Sequence, residues 1–442
     1  MKRHSFKRAS PRDPLLWGVS LNGNRLIFQQ KLTWVTFVDF SKLFSTLMKK
    51  GYEEIVFDLS SVISAFPNGM VPMISVVEKQ RKNGLQVKII PPSKSDVNYL
   101  FEKNGWYHFL SPTEHPATGL SARRRYGLHP FSSDQELNDT VNYLVASVLQ
   151  SANLAEGLPQ AFEWIANELA GNVLVHAEVK HGWIQAVTYP EHQRLSLVVC
   201  DSGIGIPRSM RATFSDLPTD LEALELSVKG QVTSKPEFGQ GNGLAGSIAI
   251  VINGAGTLSL TSGKARLVIM EKRVQPKSWY PSFDGTMIDL QLNTDQPIIL
   301  EQSLWGHKPI NLFETHFQDD KGDLQFGLKD YETSFGNRIT GQRIRNMIEN
   351  MLRNNIESSV SVDFLNVAVI SSSFADECFG KLAVKMGLLQ FGRRIKITNA
   401  NALCYTIIER IVEQRISYKY TSSIDDVEFG ADEEENRNSP SE

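Results

Sequence analysis

The chain has three cysteines, Cys200, Cys378 and Cys404, too few and too scattered for a disulfide framework or a thiolate metal cluster. A reducing cytoplasm is therefore the expected location. No apolar run approaches the roughly 18 residues that a membrane span needs, so no membrane partner is expected. Charge of neither sign dominates: 46 Lys and Arg against 49 Asp and Glu leave a net charge of −3. That balance argues against nucleic acid as a partner. A Walker-type phosphate loop and the protein-kinase motif set are both missing. The basic start (Lys2, Arg3, Lys7, Arg8) has no apolar stretch behind it, which excludes a secretory signal.

What the chain does contain is regular patterning over a length that suits roughly two to four domains. After a loose basic tail (1–14), Arg25 to Leu32 reads as a strand and Val35 to Met48 as an amphipathic helix. Ile55 to Leu59 is a buried-strand run. Pro67-Asn68-Gly69 turns the chain into a helix from Met70 to Lys82, stopped by Asn83-Gly84. Leu85 to Ile90 is a strand and 95–104 a helix, giving a small α/β unit over 15–115. Residues 116–133, with Arg123-Arg124-Arg125, have linker composition. Asp134 to Gln150 is a long amphipathic helix that opens a segment ending near 297.

A third α/β unit spans 305–418. Its helix Ile339 to Asn354 precedes a strand (Val360 to Phe364), a helix (Ser373 to Met386), a strand (Arg394 to Thr398) and a helix (Ala400 to Arg415). Here the chain repeats itself: Asp58-Leu59-Ser60-Ser61-Val62 matches Asp363-Phe364-Leu365-Asn366-Val367, each followed by helix, strand and helix. The tail 419–442 is acidic and lacks an apolar pattern, so disorder is expected.

The central segment holds four signatures in order. In Glu168-x-x-x-Asn172-x-x-x-His176 the polar residues share one helix stripe, beside the apolar stripe Ile165, Leu169, Val173. An Asn amide oxygen suits magnesium, which prefers oxygen ligands and keeps several waters. Glu168, one turn earlier, is placed to deprotonate an attacking hydroxyl as general base. Second, Asp201-Ser202-Gly203-Ile204-Gly205-Ile206 follows the apolar strand Leu195 to Cys200. A carboxylate there can accept from an adenine amino group, with Gly203 and Gly205 leaving room for the ring. Third, Gly239-Gln240-Gly241-Asn242-Gly243-Leu244 runs into a helix and offers free amides to phosphate. Lys235 precedes it and reads either as a phosphate contact or as a solvated lysine. Fourth, Gly285-Thr286 opens an apolar strand.

This order of motifs resembles the ATP-binding domain of the GHKL (Bergerat-fold) family, which gyrase, the heat-shock chaperone, histidine kinases and mismatch-repair proteins share. The resemblance is nearest to the anti-sigma serine-kinase branch and covers about a third of the chain. It implies an α/β sandwich over 134–297 that binds ATP and Mg2+, with Asn172 on the metal and Glu168 as catalytic base. Asp201, Gly203, Gly205, Ile206 and Thr286 would meet the adenine. Lys235, Gly239, Gly241, Gly243 and Leu244 would form the lid and phosphate contacts. The Asp58 run resembles a STAS domain, and the third unit resembles the STAS-like domains of unknown function often fused to GHKL ATPases. The expected fold is therefore α/β, with a central Bergerat-fold sandwich flanked by two small STAS-like domains.

Two functions follow from that resemblance. The first is a kinase that phosphorylates a serine on a STAS partner, at a helix entry where added charge changes partner affinity. By the family's offset the acceptor position falls on Pro67 or Asn68 in the first unit, neither of which can be phosphorylated, and on Ser372 in the second. Helix capping by Ser372 or Ser373 is the competing role. The second function is an ATP-gated switch with slow hydrolysis, its STAS-like units serving as docking modules for protein partners. A scaffold without ATP ranks third. Relatives also make a homodimer plausible as an expectation. A histidine kinase is not expected, because no phosphoacceptor helix pair is present and His192 lies between strands.

Overall fold

The computed structural model describes residues 18–116, 127–179, 181–230, 232, 242–271, 273–306, 317–319, 323–355 and 358–435, with side chains to Lys419. The fold is mixed α/β, with three sheets among the described residues. The basic start and the Arg123–Arg125 triplet lie outside them. The chain forms two compact units, one of 1–147 with 160–309, the other of 148–159 with 310–442. Among the described residues no helix is long and apolar enough to cross a membrane.

The first unit begins with a sheet in the order β1-β2-β3-β4 (Val19–Asn22, Arg25–Leu32, Glu54–Ala65, Gln86–Ile90). β1 pairs antiparallel with β2, and β2, β3 and β4 run parallel. Between β2 and β3 lies α1 (Trp34–Lys49). Thr33 and Thr36 form a capping box at its start, and Phe37, Phe40, Phe44 and Leu47 give it a buried stripe. Between β3 and β4 lies α2 (Pro67–Arg81), which opens with Pro at its first position. α3 (Ser95–Asn104) and α4 (Trp106–Leu110) follow β4. β3 runs on to Ala65, past the Leu59 limit expected from sequence. Its polar Ser60-Ser61 pair masks this extension, which the β-branched Val62 and Ile63 and two register shifts against β2 accommodate.

The second sheet of this unit has the order β5-β6-β7-β9-β8 and is antiparallel throughout. Its strands are β5 (His129–Phe131), β6 (Gly182–Tyr189), β7 (Arg194–Cys200), β8 (Thr257–Met270) and β9 (Arg273–Asn293). β5 falls inside the expected linker. It is a short edge strand that tolerates Pro130, and Phe131 is buried. The helices of this segment are α5 (Asp134–Ser151), α6 (Leu158–His176), α7 (Gly205–Arg211), α8 (Asp220–Ser227) and α9 (Gly243–Asn253).

Strand periodicity gives this sheet two faces. Val199, Thr286 and Ile288 line a cavity on one face. On the other, Val198, Cys200 and Met287 join an apolar cluster that extends through α1 and α2 into the first sheet. Trp279 and Phe283, from the extended part of β9, reach the same cluster and stack around Phe37. α2 is buried along most of its length because strands β6 and β7 pack against it.

In the second unit β10 (Leu324–Gly327), β11 (Val360–Asp363) and β12 (Ile395–Thr398) are parallel and adjacent in chain order. The helix Arg338–Asn354 joins the first two strands, capped by Asn337. A helical run from Ser372 to Met386 joins the last two, widened to a π turn at Asp376–Gly380. Buried Asn350 receives the Leu154 amide and donates to the Leu149 and Ala152 carbonyls, fixing the 148–159 segment to this unit. The last helix, Ala402–Glu435, continues past Arg415 into the stretch expected to be a disordered tail. No proline interrupts the chain there, and acidic residues and Ala permit helix without an apolar face.

Candidate functional site

The end of α6, the starts of α7 and α9, the end of β7 and the middle of β9 enclose a cavity of about 120 Å3 that is partly open to solvent. Asn172 and His176 reach it from α6, whose Ile165, Leu169 and Val173 are buried as the stripe pattern requires. Asp201, Gly205 and Ile206 enter from the β7–α7 turn. Gly243 and Leu244 enter from α9 and Thr286 from β9. Residues up to 114 positions apart in the chain, from Asn172 to Thr286, thus share one cavity.

Asp201 is buried, and its Oδ1 accepts the Gly203 N–H at 2.8 Å. Its own N–H donates to the Thr286 carbonyl at 2.9 Å, which ties the two strand ends together. Burial pushes its carboxyl up to about 6, against the opposing pull of the Gly203 and Thr286 backbone and of Lys79. Gly203 does not line the cavity, contrary to the expectation that it makes room for a ring. It packs against the Ala177 carbonyl after α6, and its role is to bond the Asp201 carboxylate. Gly205 has φ +75, a left-handed conformation at the start of α7 that favours glycine.

Glu168 is half-buried and sits at the edge of the cavity, not in its lining. Burial raises its carboxyl above the usual range. Gly243 lies so close that a Cβ there would collide with the Glu168 carboxylate. The first helical residue after the glycine-rich segment is therefore in contact with the candidate base. Lys235, Gly239 and Gly241 lie outside the described residues. His192 is exposed in the β6–β7 turn, far along the strands from Asp201.

Ser262 carried no sequence signal. Its Oγ accepts the Ile206 N–H at 2.9 Å and donates to the Gly285 carbonyl at 2.6 Å. This one buried hydroxyl joins the β7–α7 turn to the strand carrying Thr286. Asp220, the first residue of α8, takes the Arg211 guanidinium at 2.8 Å and the Lys264 amide at 2.8 Å. These bonds pin α7 and α8 to β8. A lone serine in a strand and an aspartate after a helix cap are too common to single out beforehand. Among the described residues no group of three His, Cys, Asp or Glu side chains could hold a metal.

The second unit places Ser372 at the first position of its helix, exposed. The cap is Ser371, whose Oγ accepts from the Phe374 N–H at 3.0 Å, so capping falls one residue earlier than expected. The equivalent N-cap in the first unit is Phe66, followed by Pro67. Both cap residues donate their N–H to the turn before the preceding helix, Phe66 to Leu32 and Ser371 to Phe335. The repeated aspartates also match: Asp58 accepts from Ser60 N–H and Asp363 from Leu365 N–H.

Residues 340–403 match the family described as STAS-like domain of unknown function (DUF4325). A STAS-like domain is therefore present in the second unit. No curated protein matches the chain.

Proposed function

We propose that the cavity of the first unit binds ATP with magnesium, in the manner of the GHKL family, and that the chain is a signalling protein acting through its STAS-like domain. The observation that carries this reading is the meeting of a buried strand-end carboxylate, Asp201, with Asn172, Gly243 and Thr286 around one cavity. Asp201 would receive the adenine amino group, since a carboxylate offers more acceptor sites than the Gly203 and Thr286 backbone donors fill. The Asn172 amide oxygen would complete the shell of a magnesium ion bound to the phosphates. Bound ATP would supply the transferable phosphoryl group. Glu168, raised by burial toward neutrality, would take the proton from the attacking hydroxyl.

In this reading the phosphoryl acceptor is a serine on a STAS-like module. Ser372 has the required placement: an exposed hydroxyl at a helix start, with the capping role already filled by Ser371. A phosphate there would lie at the positive end of the helix. The first α/β unit would be a second STAS-like module whose acceptor position is closed by Pro67. That substitution favours the alternative, an ATP-gated switch in which the modules only dock partners. Incubation of the full chain with γ-labelled ATP separates the two. Label at Ser372 or on a co-purifying STAS protein supports the kinase, and free phosphate with unlabelled protein supports the switch. Titration calorimetry without heat for Mg-ATP would remove both.

A further inference from the structure

α2 runs behind the cavity, on the opposite face of the sheet, and touches it at successive turns. At its start, Asn68 Nδ2 donates to Asp289 Oδ2 of β9 at 3.0 Å. One turn further, Met70, Val71, Met73 and Ile74 sit in the cluster that holds Val198, Cys200 and Met287. Ser75 is buried on the same side of the helix, and its hydroxyl makes no hydrogen bond to the sheet. Next, Lys79 Nζ lies 3.4 Å from Asp284 Oδ2, immediately before Gly285-Thr286. Finally Glu78 bonds His181 of the segment leading into β6, at 2.8 Å. Two of these contacts fall on the residues next to the cavity's key strand ends: Cys200 precedes Asp201, and Asp284 precedes Gly285-Thr286.

We propose that α2 is a positioning element of the nucleotide cavity, in which Asn68 and Lys79 hold β9 on either side of Gly285-Thr286 and the apolar face of the helix backs Val198 and Cys200. Any ligand or partner that shifts the N-terminal α/β unit then changes adenine affinity, and nucleotide in turn tightens the docking of α2. This rests on the ATP reading above.

Electrostatics support the geometry. The titratable groups on elements around Asp201 include Glu78 and Lys79 of α2, Glu168 and His176 of α6, Cys200 of β7, Arg208 and Arg211 of α7 and Asp284 and Asp289 of β9. Among these, Lys79 is the cation whose charge favours ionised Asp201.

The test compares ADP binding by the full chain, wild type against Lys79→Met, by calorimetry from pH 5 to 8. Lys79 is partly exposed, so the variant retains its fold. The expected result is ADP affinity several-fold weaker at neutral pH, with the acid-side loss of affinity beginning at higher pH. Lys79→Arg restores the wild-type profile, and Lys49→Met, at the exposed end of α1, leaves it unchanged. Superimposable wild-type and Lys79→Met profiles would overturn the role of α2 while leaving the ATP reading standing. A wild-type protein that binds no adenine nucleotide overturns the reading itself. Hydrogen exchange gives a second measure: ADP should slow exchange of the α2 amides, and unchanged α2 exchange on saturation with ADP counts against the coupling.

Discussion

Asn68 and Asp289 lie 221 positions apart and meet through a 3.0 Å hydrogen bond in the seam between the two sheets of the first unit. The amide occupies the helix-entry region where a STAS-like module would carry its acceptor. Here it is spent on holding a buried carboxylate. Burial raises the Asp289 carboxyl, with Asn68 and Arg266 working against that rise. Arg266 is itself buried, stacked 4.1 Å from the Trp34 ring and bonded to Ser259.

Removing this amide should therefore be costly. Asn68→Ala leaves a buried carboxylate without its donor and should cost about 1–3 kcal/mol. Urea unfolding followed by tryptophan fluorescence should show a lower midpoint with an unchanged slope. A midpoint equal to the wild type would mean that the seam is hydrated enough to replace the bond.

Nucleotide affinity should depend on the ionisation of Asp201. On the proposed role of Asp201, adenine binding would favour the ionised carboxylate, and burial pushes that carboxyl up to about 6 in the nucleotide-free protein. Affinity should be level above that value and fall as pH drops through it, approaching tenfold per unit. Asp201→Asn should bind more weakly and lose this pH dependence. For folding the sign is reversed: a raised carboxyl favours the nucleotide-free fold at low pH, and that contribution disappears as pH rises through about 6.

Glu168→Gln keeps the size of the side chain and removes the base. Turnover of ATP should drop by about 10^2–10^4-fold, while the dissociation constant for Mg-ATP changes little. Equal turnover in the variant and the wild type would exclude Glu168 as the proton acceptor.

Neighbouring serines separate capping from modification. Ser371→Ala removes the bond to the Phe374 amide and should cost about 1 kcal/mol of stability. Ser372→Ala should change stability by less than about 0.5 kcal/mol, yet abolish labelling of the domain by γ-labelled ATP. Labelling that survives Ser372→Ala would place the acceptor elsewhere.

Much of the fold is legible from local patterns. The limits of β2, α3 and α5 follow from apolar periodicity, and the alternation of strand and helix from β2 to α3 and from the Arg338–Asn354 helix to β12 follows from the two periods, whereas the short strands β1 and β10 do not. The short edge strand β5 was hidden by Pro130, which argues for a linker when read alone. The continuation of β3 was hidden by Ser60-Ser61, whose polar side chains fit a strand only because Asp58 and the register shifts absorb them. In the candidate site, motif residues with strong local constraints were easy to place: Asn172 by helix spacing, Asp201 by its strand end. Ser262 and Lys79 were not, because their roles arise from packing between segments more than fifty positions distant and leave no local signature.

The two-faced sheet also limits how the gene can be divided. A chain begun at Asp134 would expose Val198, Cys200 and Met287 to water, together with Trp183, Trp279 and Phe283. Such a fragment would present a broad greasy surface and tend to self-associate. The segment carrying the cavity is thus not a portable cassette: shuffling it to another protein would require the preceding hundred or so residues to travel with it.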